Sequence, residues 1–71
     1  MAESVYKVIE LVGTSHDSWE TATLAVIKKA SETLREIRVA RIVEQDVHVE
    51  SENPLTLAYR VKVELSFKYE S

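Results

Sequence analysis

The chain contains no cysteine, and its 71 residues include one glycine and one proline. Disulfide bonds and thiolate metal sites are therefore excluded as sources of stability. Glycine and proline are the usual residues of linkers, so their scarcity argues against a joint between two domains. The sequence predicts a single domain over residues 1–71. A domain of this size buries only a modest part of its surface when it stands alone.

An excess of basic residues and a long apolar run are also missing. Lys and Arg number 9 against 12 Asp and Glu, which gives a formal net charge of −3. A general nucleic-acid-binding protein would carry a basic face, so no nucleic-acid partner is expected. No apolar run approaches the length of a membrane span, and the start, MAESVYK, lacks the pattern of a signal peptide. We expect an intact cytoplasmic protein without a membrane partner.

The first third of the chain predicts a strand and then a helix. SVYKVIELV, residues 4–12, is apolar on both faces, which predicts a strand that is covered on two sides and ends at Gly13. Apolar residues then recur at steps of three and four, which predicts a helix near residues 17–35. Its candidate N-caps are Thr14, Ser15 and Ser18. The predicted apolar stripe consists of Trp19, Ala22, Val26, Ala30, Thr33 and Ile37, widened by Ile27 and Leu34.

The clearest pattern lies at the end of the chain. In LAYRVKVELSFKYE, apolar and polar residues alternate from Leu57 to Tyr69, which predicts a strand with one buried face. SENPLT, residues 51–56, predicts the turn before it. The element order is β-α-β-β, an α+β fold. A helical crossover returns the chain in its first direction, so we expect the last strand to lie in the centre of a three-stranded antiparallel sheet.

The segment IRVARIVEQDVHVE, residues 37–50, predicts an unusually long second strand in which valines and isoleucines are mixed with charges. The last strand, thirteen residues from Leu57 to Tyr69, spans about 43 Å, whereas the predicted helix of nineteen residues spans about 28 Å. One helix cannot cover such a sheet, and soluble proteins avoid bare apolar strands. We therefore expect an oligomer in which this strand packs on neighbouring subunits, with Arg38, Arg41 and Glu44 forming ion pairs between subunits.

No arrangement of catalytic residues is found. Ser15, His16 and Asp17 are consecutive, so their side chains diverge and favour helix capping over a catalytic triad. His16 and His48 are not at a metal-ligand spacing, and we expect both to face solvent. Trp19 lies on the apolar stripe of the helix, which favours packing over ligand stacking. The chain is therefore not expected to be an enzyme.

Four carboxylates, Glu44, Asp46, Glu50 and Glu52, form an acidic run along the second strand and the turn. A solvated strand edge is the simpler interpretation. A divalent-cation site is the alternative, because Glu44 and Asp46 are two residues apart and share a face of the strand. Hard cations such as calcium require several such oxygens. Equivalent carboxylates brought together by the symmetry of an oligomer could supply them.

The segments VYKVIELVGTSHDSWETA, ASETLREIRVARIVEQ and YRVKVELSFKYE together resemble the dodecin family over essentially the whole chain. The resemblance implies a three-stranded antiparallel sheet wrapped around one helix. It also implies a hollow homo-dodecamer, which would resolve the mismatch between helix and strand lengths. Dodecins are not enzymes, and many of them bind flavins such as riboflavin or FMN in stacked pairs at two-fold interfaces, as storage or quenching proteins.

The resemblance also assigns ligand-binding positions. A stacking tryptophan of flavin-binding dodecins corresponds here to Val39, and a hydrogen-bonding glutamine corresponds to Arg60; Gln45 is taken as a third residue of the flavin-site equivalent. Valine offers no aromatic face, and arginine donates hydrogen bonds but cannot accept them. We therefore expect weak or absent flavin binding. The chain is more similar to the tryptophan-less branch that includes calcium dodecin.

Two functions remain open from the sequence. The first is a binding and storage shell that sequesters a flavin-like ligand or a divalent cation, with Glu44 and Asp46 as the metal candidates. The second is a structural or interaction assembly without a specific small ligand.

Overall fold

The computed structural model describes residues 3–69, and these residues follow the β-α-β-β order. Strand β2 pairs with β3, β3 also pairs with β1, and both pairings are antiparallel, so the strand order is β1-β3-β2. The prediction that the last strand is central is confirmed. The elements are β1 at Tyr6–Ser15, α1 at Trp19–Ser31, β2 at Ile37–Glu52 and β3 at Leu55–Lys68.

The core lies between α1 and one face of the sheet. Val61, Val63 and Leu65 on β3 are at most 1% exposed, as the alternating pattern predicts. Ala22, Val26 and Ala30 form the matching stripe of α1. Burying a Val or Leu side chain stabilises a fold by roughly 1.5–3 kcal/mol, so this small cluster provides much of the stability of one protomer. Ile9, Leu11, Trp19, Ile27, Leu34 and Ile37 pack around it, each partly buried.

Gly13 does not end the first strand, contrary to the sequence prediction. It lies inside β1, opposite Val61, and is itself buried. A Cβ atom at this position would overlap the side chain of Val26 and would lie 2.7 Å from the carbonyl oxygen of Ala22. The glycine is therefore needed because the helix backbone approaches the strand closely, and not because the chain turns there.

Helix α1 is shorter than the predicted range of 17–35. Ser18 caps it, and its Oγ accepts a hydrogen bond of 3.0 Å from the backbone N–H of Thr21. The periodic apolar pattern continues past the helix end at Ser31. Glu36 has a φ of 58°, in the left-handed region, which a right-handed helix cannot include. Ile37 therefore starts β2 and reaches the core from the sheet.

Strand β2 is longer than predicted and contains three bulges. Register shifts between residues 37 and 39, 42 and 44, and 49 and 51 leave Arg38, Val43 and Glu50 without a partner on β3. Each bulge exchanges the face on which the following residues lie. Ile42 thus lies opposite the buried Val63, whereas Val39 lies opposite Ser66 on the other face. The bulges explain why apolar residues along β2 do not alternate.

Strands β2 and β3 extend well beyond the rest of the protomer. The pairing of β1 with β3 ends at Ser15 and Tyr59, and the β2–β3 ribbon continues to a turn reduced to Asn53 and Pro54, which are joined by a cis peptide bond. The protomer measures 59 × 21 × 15 Å. Its radius of gyration is 15.0 Å, whereas a compact chain of this length has about 11 Å.

The exposed surface leads to the same conclusion as the shape. One protomer exposes 5436 Å², while a compact monomer of this mass exposes about 4500 Å². The face of β1 turned away from α1 is not covered within the protomer, so the predicted cover on this side must come from a neighbouring subunit. No helix among residues 3–69 is long and apolar enough to span a membrane. The exposed large apolar residues of the strands include Tyr6, Val8, Val12, Val39, Ile42, Val43, Val47, Val49 and Leu55.

Replacing Gly13 with alanine should destabilise the fold, because the added methyl group must displace either the side chain of Val26 or the backbone of α1. We expect a loss of about 1–3 kcal/mol in the free energy of unfolding, the usual cost of overpacking. Denaturant unfolding at matched protein concentration measures it. Thr14→Ala, at the exposed next residue of β1, is the control and should have little effect; equal stability of both variants would contradict this packing.

Candidate functional site

The face of the sheet turned away from α1, here called the open face, carries most of the charged residues of the sheet. Directly opposite residues of antiparallel strands share a face, so the register assigns its members. It includes Val8, Glu10, Val12 and Thr14 on β1, Arg60, Lys62, Glu64 and Ser66 on β3, and Val39, Arg41, Glu44 and Asp46 on β2.

Three ion pairs connect β2 and β3 across the open face. Arg60 donates two hydrogen bonds to Asp46, from Nε to Oδ1 at 2.7 Å and from a terminal nitrogen to Oδ2 at 2.8 Å. The other two pairs are looser, at 3.7 Å between Lys62 Nζ and Glu44 Oε1 and 3.4 Å between Arg41 Nε and Glu64 Oε1. The two-pronged geometry makes the Arg60–Asp46 pair the strongest of the three.

The Arg60–Asp46 pair also shifts the pKa of both partners. The hydrogen bonds from Arg60 hold the pKa of the Asp46 carboxyl below its ordinary value of 3.8, although partial desolvation opposes this effect. The same hydrogen bonds raise the pKa of Arg60 above its ordinary value. Both side chains are about half exposed, so water screens the attraction and the pair contributes little to global stability.

A shallow cavity of about 170 Å³ lies over the Arg60–Asp46 and Lys62–Glu44 ion pairs. It brings the metal candidates Glu44 and Asp46 together with Arg60, one of the flavin-site equivalents. Its apolar lining comes from Val12 on β1 and Val61 on β3. The cavity is lined by Val12, Glu44, Asp46, Arg60, Val61 and Lys62.

One protomer does not bring together the three residues of the flavin-site equivalent. Val39 is 55% exposed on the open face and lies opposite Ser66. Ser66 is six positions along β3 from Arg60, a separation of about 20 Å. Gln45 lies opposite Val61, on the helix side of the sheet. It lines a different cavity, of about 330 Å³, together with Trp19, Glu20, Thr23 and Ile42.

Trp19 ties the start of α1 to β2. Its indole Nε1 donates a hydrogen bond of 3.0 Å to the backbone oxygen of Asp46. Its ring meets that of Tyr59 edge to face, with centroids 5.1 Å apart and an angle of 74° between the planes. Trp19 therefore has the packing role expected of it, and it fixes the backbone of Asp46 from the side opposite to Arg60.

Both histidines are exposed, as predicted, but His16 has a specific partner. Its Nε2 lies 3.0 Å from Oε1 of Glu50, which is a bulge residue of β2. Within one protomer Arg38, Arg41 and Glu44 all have partners in the same chain, and their pairing between subunits stays a prediction. Arg38, for example, lies 2.6 Å from Glu36. The bulges and the register bring these charges together locally.

The carboxylates of one protomer do not form a complete metal site. Among residues 3–69, no group of three or more His, Asp or Glu side chains is placed to hold a metal ion. Glu44 and Asp46 do share the open face, opposite Lys62 and Arg60. Sequence reasoning missed Glu10, which lies on the same face directly opposite Glu64. Only the pairing register reveals this arrangement of two like charges.

Comparisons of the sequence and of the fold with known proteins point to one family with this β-α-β-β arrangement. The sequence model of one family, described as Dodecin, matches residues 5–70. The chain is 49% identical over 65 residues to calcium dodecin from Mycobacterium tuberculosis, covering 92% of this chain and 89% of that protein. The crystal structure of that calcium-chelating antigen, with a novel calcium-binding site, superposes with a TM-score of 0.83 at 46% identity, covering 94% and 93% of the two chains.

Other solved dodecins share the fold. An arginine-to-alanine variant of the dodecin of Thermus thermophilus gives a TM-score of 0.86 at 32% identity, over 97% of this chain and 100% of that one. The dodecin of Streptomyces coelicolor gives 0.84 at 30% identity, over 100% and 99%. The β-α-β-β arrangement is therefore common to all of these proteins.

Replacing Arg60 with methionine should raise the pKa of Asp46 towards its ordinary value, because the hydrogen bonds that favour the carboxylate are lost. In the native protein the pair contributes its stabilisation at pH values above the ordinary pKa of an aspartate carboxyl group. This contribution is lost as the pH falls through the lowered pKa of Asp46. Carbon-13 NMR of the Asp46 carboxyl group, followed against pH, measures the change. Arg38→Met should leave Asp46 unchanged; an unaltered Asp46 titration in Arg60→Met would show that the pair does not form in solution.

Proposed function

The chain belongs to the dodecin family, and we propose that it acts as a non-enzymatic binding and storage protein, a hollow homo-dodecamer whose ligand is calcium rather than a flavin. The observation that carries this proposal is the 49% identity, across 92% of the chain, to a relative named for calcium. The names of the family and of this relative indicate binding and not catalysis. The open face supports the proposal with charged side chains instead of an aromatic stacking surface.

The uncovered surface of the protomer supports self-assembly. A two-stranded ribbon is at best marginally stable in water, yet β2 and β3 continue together beyond the end of β1. Their exposed valines, such as Val47 and Val49, need cover from another chain. The surface in excess of that of a compact monomer is about 900 Å², similar to what one partner buries in a stable protein interface.

The same open face argues against a tightly bound flavin. Val39 and Arg60 replace the stacking and amide residues that the family resemblance assigns to flavin binding. Aromatic stacking contributes roughly 0.5–1.5 kcal/mol beyond the burial of area, and a valine cannot supply it. Arg60 is moreover already bound to Asp46. A flavin ring would have to break this pair to reach the guanidinium group.

For calcium, we propose Glu44 and Asp46 as protein ligands. Two carboxylates supply too few oxygens, because calcium takes six to eight, so symmetry-related chains and water must complete the coordination. Both carboxylates are also paired with cations in the protomer. These two features favour weak binding, with a dissociation constant between about 0.1 and 1 mM, as in extracellular calcium modules.

The second candidate function is an assembly without a specific small ligand. The ion pairs that neutralise Glu44 and Asp46 favour it, because they satisfy these carboxylates without a metal ion. The absence of a metal-binding group of three side chains within residues 3–69 also favours it. Calcium titration separates the two functions.

Light scattering of the purified protein at micromolar concentration should give a mass of about 97 kDa, twelve copies of a chain of 8.1 kDa. Val49→Asp should reduce this mass, because it places a charge among the apolar side chains of the ribbon that neighbours cover. Asn53→Asp adds the same charge at the exposed turn and should leave the mass unchanged. A stable monomer or dimer of the native chain would contradict the dodecamer.

Calorimetric titration of metal-stripped protein should show calcium binding at sub-millimolar to millimolar concentration, reduced by Glu44→Gln/Asp46→Asn. Riboflavin titrated into the same protein should show weak or no quenching of its fluorescence, since no aromatic side chain replaces the missing one at Val39.

The matched control for the calcium ligands is Asp17→Asn/Glu32→Gln, which removes the same two charges from exposed positions outside the open face. Calcium heat that is absent in the native protein would refute the calcium function. Heat that persists in Glu44→Gln/Asp46→Asn would place the ion elsewhere. Nanomolar quenching of riboflavin would instead favour flavin storage.

A further inference from the structure

Both oxygens of the Asp46 carboxylate already have a partner. Arg60 reaches Oδ1 at 2.7 Å and Oδ2 at 2.8 Å, so the guanidinium group covers the edge that a metal ion would need. Lys62 lies 3.7 Å from Glu44 Oε1 on the same face. A divalent cation that binds both carboxylates must therefore displace two side-chain cations of the chain itself.

The surroundings allow this exchange to occur in the side chains alone. The backbone of Asp46 is held by the pairing with β3 and by the indole N–H of Trp19, so the base of its side chain stays on the open face when Arg60 leaves. The side chain of Arg60 is 46% exposed and that of Lys62 is 39% exposed. Both are exposed enough to turn away from the carboxylates towards solvent without unfolding any element.

The charges of these four side chains indicate that an anion binds after calcium. Two carboxylates and two cationic side chains sum to zero, and a divalent cation bound to the carboxylates leaves an excess of two positive charges. Arg60 and Lys62 point to the same face of β3 two residues apart, about 7 Å along the strand. Both line the cavity of about 170 Å³ with Val12. A dianion with several acceptor oxygens can bind between them and restore neutrality.

We infer that Arg60 is an internal competitor for calcium at Asp46, and that its release upon calcium binding creates a site for an inorganic dianion, so that calcium and the anion bind with positive coupling. This inference rests on the proposed calcium site. By linkage, the anion must increase calcium affinity by the same factor by which calcium increases anion affinity. Uptake would then load neutral calcium–anion pairs and would leave the net charge of each chain at −3.

The expected size of the effect follows from the exposure of the pair. Exposed ion pairs change an equilibrium constant by up to about fivefold, and a two-pronged geometry lies near the upper end of that range. Removing the competitor should therefore tighten calcium binding by about twofold to fivefold. The coupling to a dianion should be of similar size in the native chain and absent without Arg60.

Calcium is titrated calorimetrically into the metal-stripped native assembly, Arg60→Met and Arg41→Met, each with and without sulfate at constant ionic strength. Arg41→Met is the matched control, because it removes one positive charge from the same face but frees Glu64 and not Asp46. The emission of Trp19, the single tryptophan of the chain, provides a second readout through its bond to Asp46. Light scattering verifies that all three assemblies have the same mass.

The inference requires tighter calcium binding in Arg60→Met than in Arg41→Met, together with a sulfate effect that is present in the native chain and lost in Arg60→Met. Unchanged or weaker binding in Arg60→Met, or equal tightening in Arg41→Met, overturns it while leaving the calcium function intact. A native chain insensitive to sulfate overturns it as well. If none of the three proteins binds calcium, the proposed calcium function and this inference fail together.

Discussion

The mismatch in length between one short helix and three long strands governs this protein. Helix α1 has 13 residues and spans about 20 Å, whereas β2 has 16 residues and spans about 53 Å. The helix covers one face of the sheet near Val61 to Leu65 and leaves the rest bare. The elongated shape, the exposed valines and the need for neighbouring copies all follow from this single constraint. Residues 3–69 contain no second helix that could cover the remainder of the sheet.

Close packing at the one covered region is correspondingly strict. Gly13 lets the backbone of α1 approach β1 until only a hydrogen atom fits between Val26 and the strand. Trp19 fixes the start of the helix to β2 and Tyr59. On the buried stripe of the helix, the small residues Ala22 and Ala30 belong to the same core cluster as the buried residues of β3. A small core thus gains stability from tight contacts and not from volume.

The open face uses charges where the helix side uses methyl groups. Its cross-strand ion pairs connect β2 to β3 in successive rows and keep the face close to neutral. Such exposed pairs stabilise little, but they can be exchanged for outside ions at little cost. The face is therefore suited to weak, reversible binding of ions. A face that had to hold a planar aromatic ligand would need a stacking side chain that Val39 does not supply.

Periodicity was sufficient to predict the order of the elements and the buried residues Val61, Val63 and Leu65, because both depend on neighbours in the chain. The central position of β3 followed from the direction in which the helical crossover returns the chain. Lengths alone predicted that one helix could not cover the sheet. The role of Gly13 and the end of α1 could not be predicted from the sequence. Neither the close approach of the helix nor the left-handed backbone of Glu36 changes the spacing of apolar residues.

The candidate site shows the same division. Sequence spacing placed Glu44 and Asp46 on one face, and the structure agrees, because no bulge separates them. Only the register and the bulges at residues 38, 43 and 50 decided the remaining features. These are the partners of the two carboxylates, the position of Gln45 on the helix side of the sheet and the distance from Val39 to Arg60. A bulge cannot be recognised from the composition of a strand, yet its extra residue moves the side chains that follow it to the opposite face of the sheet. Pairing across strands joins residues that are far apart in the chain, so it is decided only in the folded structure.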